Sequence, residues 1–138
     1  MWSGIIGAPM DIPKVRALIE AMSFHKWRPS LIVWHNTAAP TLAQWQKSAE
    51  EDRRAGRAPG VTRILNLQQY FSVQRGWSSG PHAFVADDVI WPFTPFNMKG
   101  THSPSWNGIA IGIEMIGDFS KEDDDAGPGL RVSRTRSR

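Results

Sequence analysis

Apolar residues recur at helical spacing in three segments of the chain. The intervals of three and four residues over Ile12–Met22 predict an amphipathic helix, with Asp11 as its N-cap. The segment Thr41–Ala55 predicts a second helix, because its first residue is followed three positions later by Gln44 in the spacing of a capping box. A third helix is predicted over Val61–Val73, after a break rich in glycine and proline.

Strand patterns alternate with these helices. The run LIVWHN, Leu31–Asn36, predicts a buried strand between the first two helices. Two short strands are predicted in HAFVADDVIWPF, on either side of a turn at Asp87 and Asp88. The strongest strand pattern is GIAIGIEMIGDF, Gly108–Phe119. This alternation predicts an α/β fold with a central mixed β-sheet flanked by helices.

Glu114 interrupts the apolar pattern of the last predicted strand. Because side chains alternate between the two faces of a strand, Glu114 shares its face with the small residues Ala110 and Gly112, while the opposite face carries large apolar residues. A carboxylate at such a place loses hydration, which a cation, hydrogen bonds or protonation must offset. Two interpretations are open: a structural ion pair at a sheet edge, and a general base at the floor of a cleft.

His35 stands at the end of the first predicted strand and also has two interpretations. A strand histidine is commonly a core residue with a backbone partner, but imidazole is also a frequent metal ligand at neutral pH. The chain has no cysteine, which excludes disulfides and thiolate ligands. Serine-based catalysis is disfavoured, because no serine lies in a nucleophile-elbow pattern.

The basic balance of the sequence comes from its last residues. Of the 16 lysines and arginines, four arginines lie in the last eight positions; without them, twelve basic residues face 13 acidic ones, a net charge of −1. A nucleic-acid-binding face is therefore not indicated. At 138 residues the chain fits one domain. It has neither the run of about 20 apolar residues that a membrane helix needs nor a signal-peptide pattern, so we expect no membrane partner and synthesis in the cytoplasm.

Five segments in a fixed order carry a resemblance to a known superfamily. The segments VWHNTA, QRGW, SSGPHAFV, GTHSPSWN and GIAIGIEMIGDF lie within Leu31–Phe119 and resemble zinc-dependent N-acetylmuramoyl-L-alanine amidases. That superfamily includes phage lysozyme-type amidases, bacterial muropeptide-recycling amidases and animal peptidoglycan recognition proteins. The resemblance implies a central mixed β-sheet flanked by helices, in agreement with the residue pattern. The small single domain without a signal peptide suggests a phage or prophage origin.

The resemblance implies roles for five polar residues. His35 matches the first zinc ligand, and Glu114 matches the glutamate that relatives use to activate the zinc-bound water. His102 and Asn107 match residues that line the sugar–peptide groove. His82 lies at or beside a position where some relatives carry a catalytic tyrosine, and we assign it to substrate binding. The implied reaction is hydrolysis of the amide between the lactyl group of N-acetylmuramic acid and L-alanine, with zinc as cofactor and peptidoglycan or muropeptides as substrate.

Two tryptophans at loop ends have a further pair of interpretations. In one interpretation, Trp77 and Trp106 flank a glycan–peptide ligand. In the other interpretation, both are packing residues. Tryptophan offers a large apolar surface with one polar N–H group, which suits either role.

The sequence departs from the superfamily at its C-terminal end. The family takes its second and third zinc ligands, a histidine and then a cysteine or aspartate, from a segment beyond the Gly-Asp-Phe strand. This chain has no histidine after His102 and no cysteine. We therefore expect residues 1–119 to form an amidase-like domain that lacks its C-terminal ligand segment and exposes apolar sheet surface, and residues 120–138 to form a disordered polar and basic tail.

Two functions follow as hypotheses, an amidase and a peptidoglycan-binding module without catalysis. Zinc content and amide hydrolysis distinguish them. Because one protein ligand holds zinc weakly, we expect the chain as it stands to bind zinc poorly and to show little or no amidase activity. We also expect it to be a monomer.

Overall fold

The computed structural model describes Trp2, residues 7–87 and residues 89–122. Within them the chain forms helices α1 (Ile12–Glu20), α2 (Leu42–Arg54) and α3 (Val61–Gln69), and strands β1 (Leu31–Asn36), β2 (Ala83–Ala86), β3 (Val89–Pro92) and β4 (Ala110–Met115). A π-helical turn, Tyr70–Gln74, continues α3. The predicted helices and strands are thus confirmed. The predicted tail beyond residue 122 lies outside the described residues.

The four strands form one mixed sheet in the order β1-β4-β2-β3. β4 runs parallel to both β1 and β2, whereas β3 pairs antiparallel with β2. The predicted mixed sheet is therefore confirmed. Because β4 lies inside the sheet, its side chains have neighbouring strands on both sides.

β4 is shorter than the predicted strand at both ends. Residues 104–109 form a turn, and the Ile109 side chain is 44 % exposed. After Met115 the chain turns at Gly117, whose φ of 152° is a conformation that residues with a side chain rarely adopt. The Gly117 amide donates a hydrogen bond to Thr37 Oγ1, and the Thr37 hydroxyl donates to the Pro40 carbonyl. This link joins the chain that leaves β4 to the chain that leaves β1.

Two acceptor groups fix the beginning of α2. Thr41 and Gln44 form the predicted capping box, in which each side chain accepts a hydrogen bond from the other residue's amide. The Glu122 carboxylate also accepts hydrogen bonds from the amides of Leu42 and Ala43, at the helix end where the dipole favours negative charge. The hydrogen-bonded part of the chain therefore reaches Glu122, three residues past the predicted boundary at residue 119.

Helices cover the sheet from both faces. α1 begins at the predicted N-cap Asp11, and its Val15 and Leu18 pack against the cluster that contains Ile111 and Ile113 of β4. A second core cluster packs on the side of α2 and α3 and consists of Trp45, Ile64, Phe84, Ala86, Trp91, Phe93 and Ile116. None of the helices in the described part of the chain is long and apolar enough to cross a membrane.

β1 forms one edge of the sheet and is incompletely covered. Ile32 is 55 % exposed and Trp34 is 59 % exposed. Both are register partners of buried residues of β4, namely Ile111 and Ile113. The expected exposure of apolar sheet surface is therefore confirmed at this edge.

Asp52 holds the loop between α2 and α3. Its fully buried carboxylate accepts hydrogen bonds from the amides of Gly60 and Thr62, from the Thr62 hydroxyl and from the Arg57 guanidinium. Burial alone would raise the pKa of Asp52, but these hydrogen bonds outweigh it, and the pKa lies below its usual value. The loop is thereby fixed, and α3 is held against α2.

Candidate active site

The parallel pairing of β1 and β4 places His35 beside Glu114. The two residues are Cα partners in the register, and such partners in a sheet point to the same face. On its other side, Glu114 is the register partner of Phe84 in β2. Glu114 thus lies inside the sheet, and no ion pair involves it among the described residues. The interpretation as a structural ion pair at a sheet edge is therefore wrong.

His102, from the loop between β3 and β4, adds a second imidazole. The ring centroids of His102 and His35 lie 5.8 Å apart. His102 Nε2 lies 3.2 Å from the Ala110 carbonyl oxygen, so in the neutral ring Nε2 carries the proton and Nδ1 carries the lone pair. Gly112 leaves room for this ring, because a Cβ at that position would lie 2.2 Å from His102 Cγ. His35, His102 and Glu114 are called the polar cluster below.

Asn107 fixes the loop that carries His102. Its Oδ1 accepts hydrogen bonds from the amide of His102 at 2.9 Å and from the amide of Ser103 at 2.8 Å. Both bonds restrain the backbone at the point where the His102 side chain begins. Asn107 therefore positions His102, and its expected contact with substrate stays a prediction.

Burial shifts the pKa of two members of the polar cluster. It raises the pKa of Glu114 to about 7, because the charged carboxylate loses hydration in an apolar strand. It also lowers the pKa of His102; the hydrogen bond to the Ala110 carbonyl acts in the opposite direction, and charge repulsion from His35 lowers this pKa further. Near neutral pH the cluster therefore holds a neutral His102 beside a carboxyl group that populates both protonation states.

Each residue of the polar cluster has a buried side-chain atom without a hydrogen-bond partner among the described residues. These atoms are His35 Nε2, His102 Nδ1 and Glu114 Oε2; Trp2 Nε1 is the one other such atom there. A buried polar atom without a partner costs about 1–3 kcal/mol. Three of them in one cluster are typical of a place that receives a polar ligand.

The structure contradicts the expected contact of His82 with a substrate. The side chain is fully buried, and both ring nitrogens are used: Nδ1 accepts from the Gly112 amide, and Nε2 donates to the Met98 carbonyl. Trp27 and Phe96 stack on the ring at centroid distances of 5.6 Å and 6.2 Å. Burial lowers the pKa of His82 to about 4. His82 is therefore a neutral structural residue.

Two glycines, Gly100 and Gly112, pack against histidine rings, which the sequence pattern did not predict. The small size of Gly112 indicated open space next to Glu114, but not that the His102 ring fills it. At Gly100, a Cβ would lie 2.8 Å from His82 Cε1, so glycine lets the loop close over that histidine. The available signal was a glycine two residues before each of the candidate site residues His102 and Glu114.

The two tryptophans at loop ends have different surroundings in the structure. Trp77 stacks on Phe71 at 5.2 Å, and the Arg75 guanidinium lies 5.0 Å from its ring centroid. Trp77 is thus a packing residue. Trp106 is 46 % exposed, and its ring is accessible to a ligand.

The described residues do not complete a metal site. Across Trp2, 7–87 and 89–122, no group of three or more His, Cys, Asp or Glu side chains is arranged to hold a metal ion. His35 and His102 offer nitrogens without partners, whereas a catalytic zinc normally has three protein ligands. The described residues therefore supply only part of the ligand set that the expected zinc ion needs.

A family comparison covers most of the chain. The family model described as N-acetylmuramoyl-L-alanine amidase matches residues 25–129, a span that contains the whole polar cluster. The chain belongs to this amidase family. The predicted resemblance is thereby confirmed.

Relatives of this amidase-family chain include animal peptidoglycan-recognition proteins. Peptidoglycan-recognition protein 1 of Holotrichia diomphalia is 27 % identical over 93 residues, which are 66 % of this chain and 41 % of that protein. Peptidoglycan-recognition protein LB of Drosophila melanogaster is 32 % identical over 61 residues, which are 43 % of this chain and 26 % of that protein. The chain thus spans less than half the length of these two relatives.

Solved structures of the same group share the fold. A variant of Drosophila PGRP-LB in complex with tracheal cytotoxin matches with a TM-score of 0.57 and 17 % identity, over 89 % of this chain and 58 % of that one. Bumblebee PGRP-SA matches with a TM-score of 0.55 and 17 % identity, over 88 % of this chain and 57 % of that one. The predicted amidase-type architecture, a mixed sheet with flanking helices, is therefore confirmed.

The raised pKa of Glu114 predicts that this amidase-family domain loses stability as pH rises. The folded-state pKa of about 7 exceeds the ordinary value of 4.5, so between these pH values the folded chain binds more protons than the unfolded chain. The contribution of Glu114 to the free energy of unfolding therefore falls with rising pH across this window. Glu114→Gln removes the titration and should be more stable than the unsubstituted chain above pH 7.

Urea denaturation at pH 5 and pH 8 measures this effect. Glu51→Gln is the matched control, since Glu51 is exposed on α2 and exposed charges contribute little. If Glu114→Gln shows no gain in stability over the unsubstituted chain at pH 8, the burial of a titrating carboxyl at this position is contradicted.

Proposed function

We propose that this domain binds the muropeptide part of peptidoglycan at the polar cluster, in a site of the N-acetylmuramoyl-L-alanine amidase type. The observation that carries the proposal is the set of buried atoms without partners, one on each of His35, His102 and Glu114. The amide, carbonyl and hydroxyl groups of a muropeptide supply the hydrogen bonds that such atoms lack. Membership of the amidase family supports this choice of ligand.

Glu114 is proposed as the proton carrier for hydrolysis of the amide between N-acetylmuramic acid and L-alanine. It would take a proton from the water whose oxygen adds to the carbonyl carbon, and return a proton to the alanine nitrogen as the C–N bond breaks. Its pKa of about 7 suits both steps near neutral pH. The products are a lactyl carboxylate and a free stem peptide.

Hydrolysis also needs a group that polarises the amide carbonyl. In the superfamily resemblance this group is zinc, and the chemistry that it supplies when bound is polarisation of the carbonyl and activation of water. His35 is the proposed first ligand. Because the described residues hold no set of three ligands, we propose that catalysis depends on ligands outside them.

A second candidate function is recognition of peptidoglycan without hydrolysis. The observation that favours it is the incomplete ligand set among the described residues. Binding through His35, His102 and Glu114 requires no metal, so this function does not depend on a complete ligand set. Zinc content and release of stem peptide distinguish the two candidates.

Ligand binding tests the proposal directly. His102→Ala should weaken binding of an N-acetylmuramyl tripeptide by about tenfold or more, because a buried hydrogen-bonding group is removed. Isothermal titration calorimetry at pH 7 provides the measurement. His25→Ala is the control, since His25 is an exposed histidine outside the polar cluster. Equal affinities for the two variants, or no binding by the unsubstituted chain, would contradict a ligand site at His102.

Metal content tests the catalytic part. The 138-residue chain, purified as it stands, should hold much less than one zinc per chain and release little or no stem peptide from peptidoglycan, since zinc with few protein ligands is held weakly. Adding a C-terminal segment that carries a histidine and a cysteine or aspartate should raise both the zinc content and the hydrolysis. Near-stoichiometric zinc by elemental analysis, together with hydrolysis by the unextended chain, would show this prediction to be wrong.

A further inference from the structure

Trp106 is an exposed aromatic residue on a rigid backbone. Its side chain is 46 % exposed, although its amide donates to the Ser103 carbonyl and its own carbonyl accepts from the amides of Ile109 and Ala110. A tryptophan whose backbone is held in this way loses little backbone freedom when a ligand covers its side chain. The ring is therefore suited to binding.

The same hydrogen-bond network links Trp106 to the polar cluster. Ala110 donates its amide to the Trp106 carbonyl, and its own carbonyl contacts His102 Nε2. Asn107, the next residue along the chain, fixes the His102 amide. Trp106 and His102 thus belong to one hydrogen-bonded loop.

Trp34 is the useful comparison among the other tryptophans. It is also exposed, at 59 %, but it is the register partner of Ile113 and points to the sheet face opposite to Glu114. Other tryptophans are engaged in packing: Trp45 and Trp91 are buried, Trp27 stacks on His82, and Trp77 stacks on Phe71. Trp106 is therefore the exposed tryptophan in the loop that carries His102.

The chemistry of the ligand decides what an exposed indole recognises. Two amino sugars alternate in a peptidoglycan strand, and the flat face of each pyranose ring carries C–H groups. An indole offers a flat apolar face of similar size, which removes these groups from water while the sugar hydroxyls stay hydrated. A stem peptide offers no comparable ring.

We propose that Trp106 is a saccharide-binding residue, on whose indole face a pyranose ring of the glycan stacks while the stem peptide lies at the polar cluster. The inference rests on the proposed function, because it takes the muropeptide as the ligand. It names Trp106 as the residue that distinguishes glycan-linked peptides from free ones.

Calorimetry with two probes tests this assignment, namely a disaccharide-linked tripeptide and the same tripeptide without sugar. Trp106→Ala should weaken binding of the glycan-linked probe by about tenfold, the size expected when one aromatic stacking contact is removed. Binding of the free tripeptide should stay unchanged. Trp106→Phe should retain part of the affinity for the glycan-linked probe, and Trp34→Ala should retain all of it.

The outcomes separate this inference from the proposed function. If the unsubstituted chain binds the glycan-linked probe and Trp106→Ala binds it equally well, the saccharide role is overturned and the proposed function stands. An equal loss of affinity for both probes also overturns the saccharide role, because it assigns Trp106 to the peptide or to folding. If the unsubstituted chain binds neither probe, the proposed function fails, and the inference fails with it.

Discussion

The parallel pairing of β1 with β4 is the constraint on which the candidate site depends. This register places His35 beside Glu114, and it places Gly112 on the same face, where the His102 ring fits. A shift of one residue would turn every side chain of β4 to the other face and disperse the cluster. The hydrogen bond to the Thr37 hydroxyl joins the ends of the two strands and opposes such a shift.

The polar cluster is locally unfavourable for folding, and other parts of the domain offset its cost. His35, His102 and Glu114 have buried atoms without partners, and the carboxylate of Glu114 loses hydration when it is charged. Elsewhere, polar groups are well satisfied, as in the capping box of α2 and around the carboxylate of Asp52. This contrast is expected when a stable scaffold holds a functional site.

Local signals in the sequence were sufficient to predict the helices and strands. They were not sufficient to predict which residues and strands lie in the interior of the fold. The capping box at Thr41 was predictable because its partners are three residues apart. The burial of His82 was not, because Trp27 and Phe96, which enclose its ring, come from distant parts of the sequence. The position of β4 inside the sheet also depends on long-range pairing. Strand alternation alone predicted that Glu114 shares its face with small residues, but not that the His102 ring fills the space beside Gly112.

The four histidines offer the most direct test of the claim that β1, β4 and the His102 loop form one ligand site. Their imidazole NMR signals can be followed while the chain is titrated with an N-acetylmuramyl tripeptide. His35 and His102 should shift together and saturate at one ligand concentration. His25, which is exposed outside the cluster, should stay unchanged. Saturable binding that leaves His35 and His102 unshifted would contradict the account.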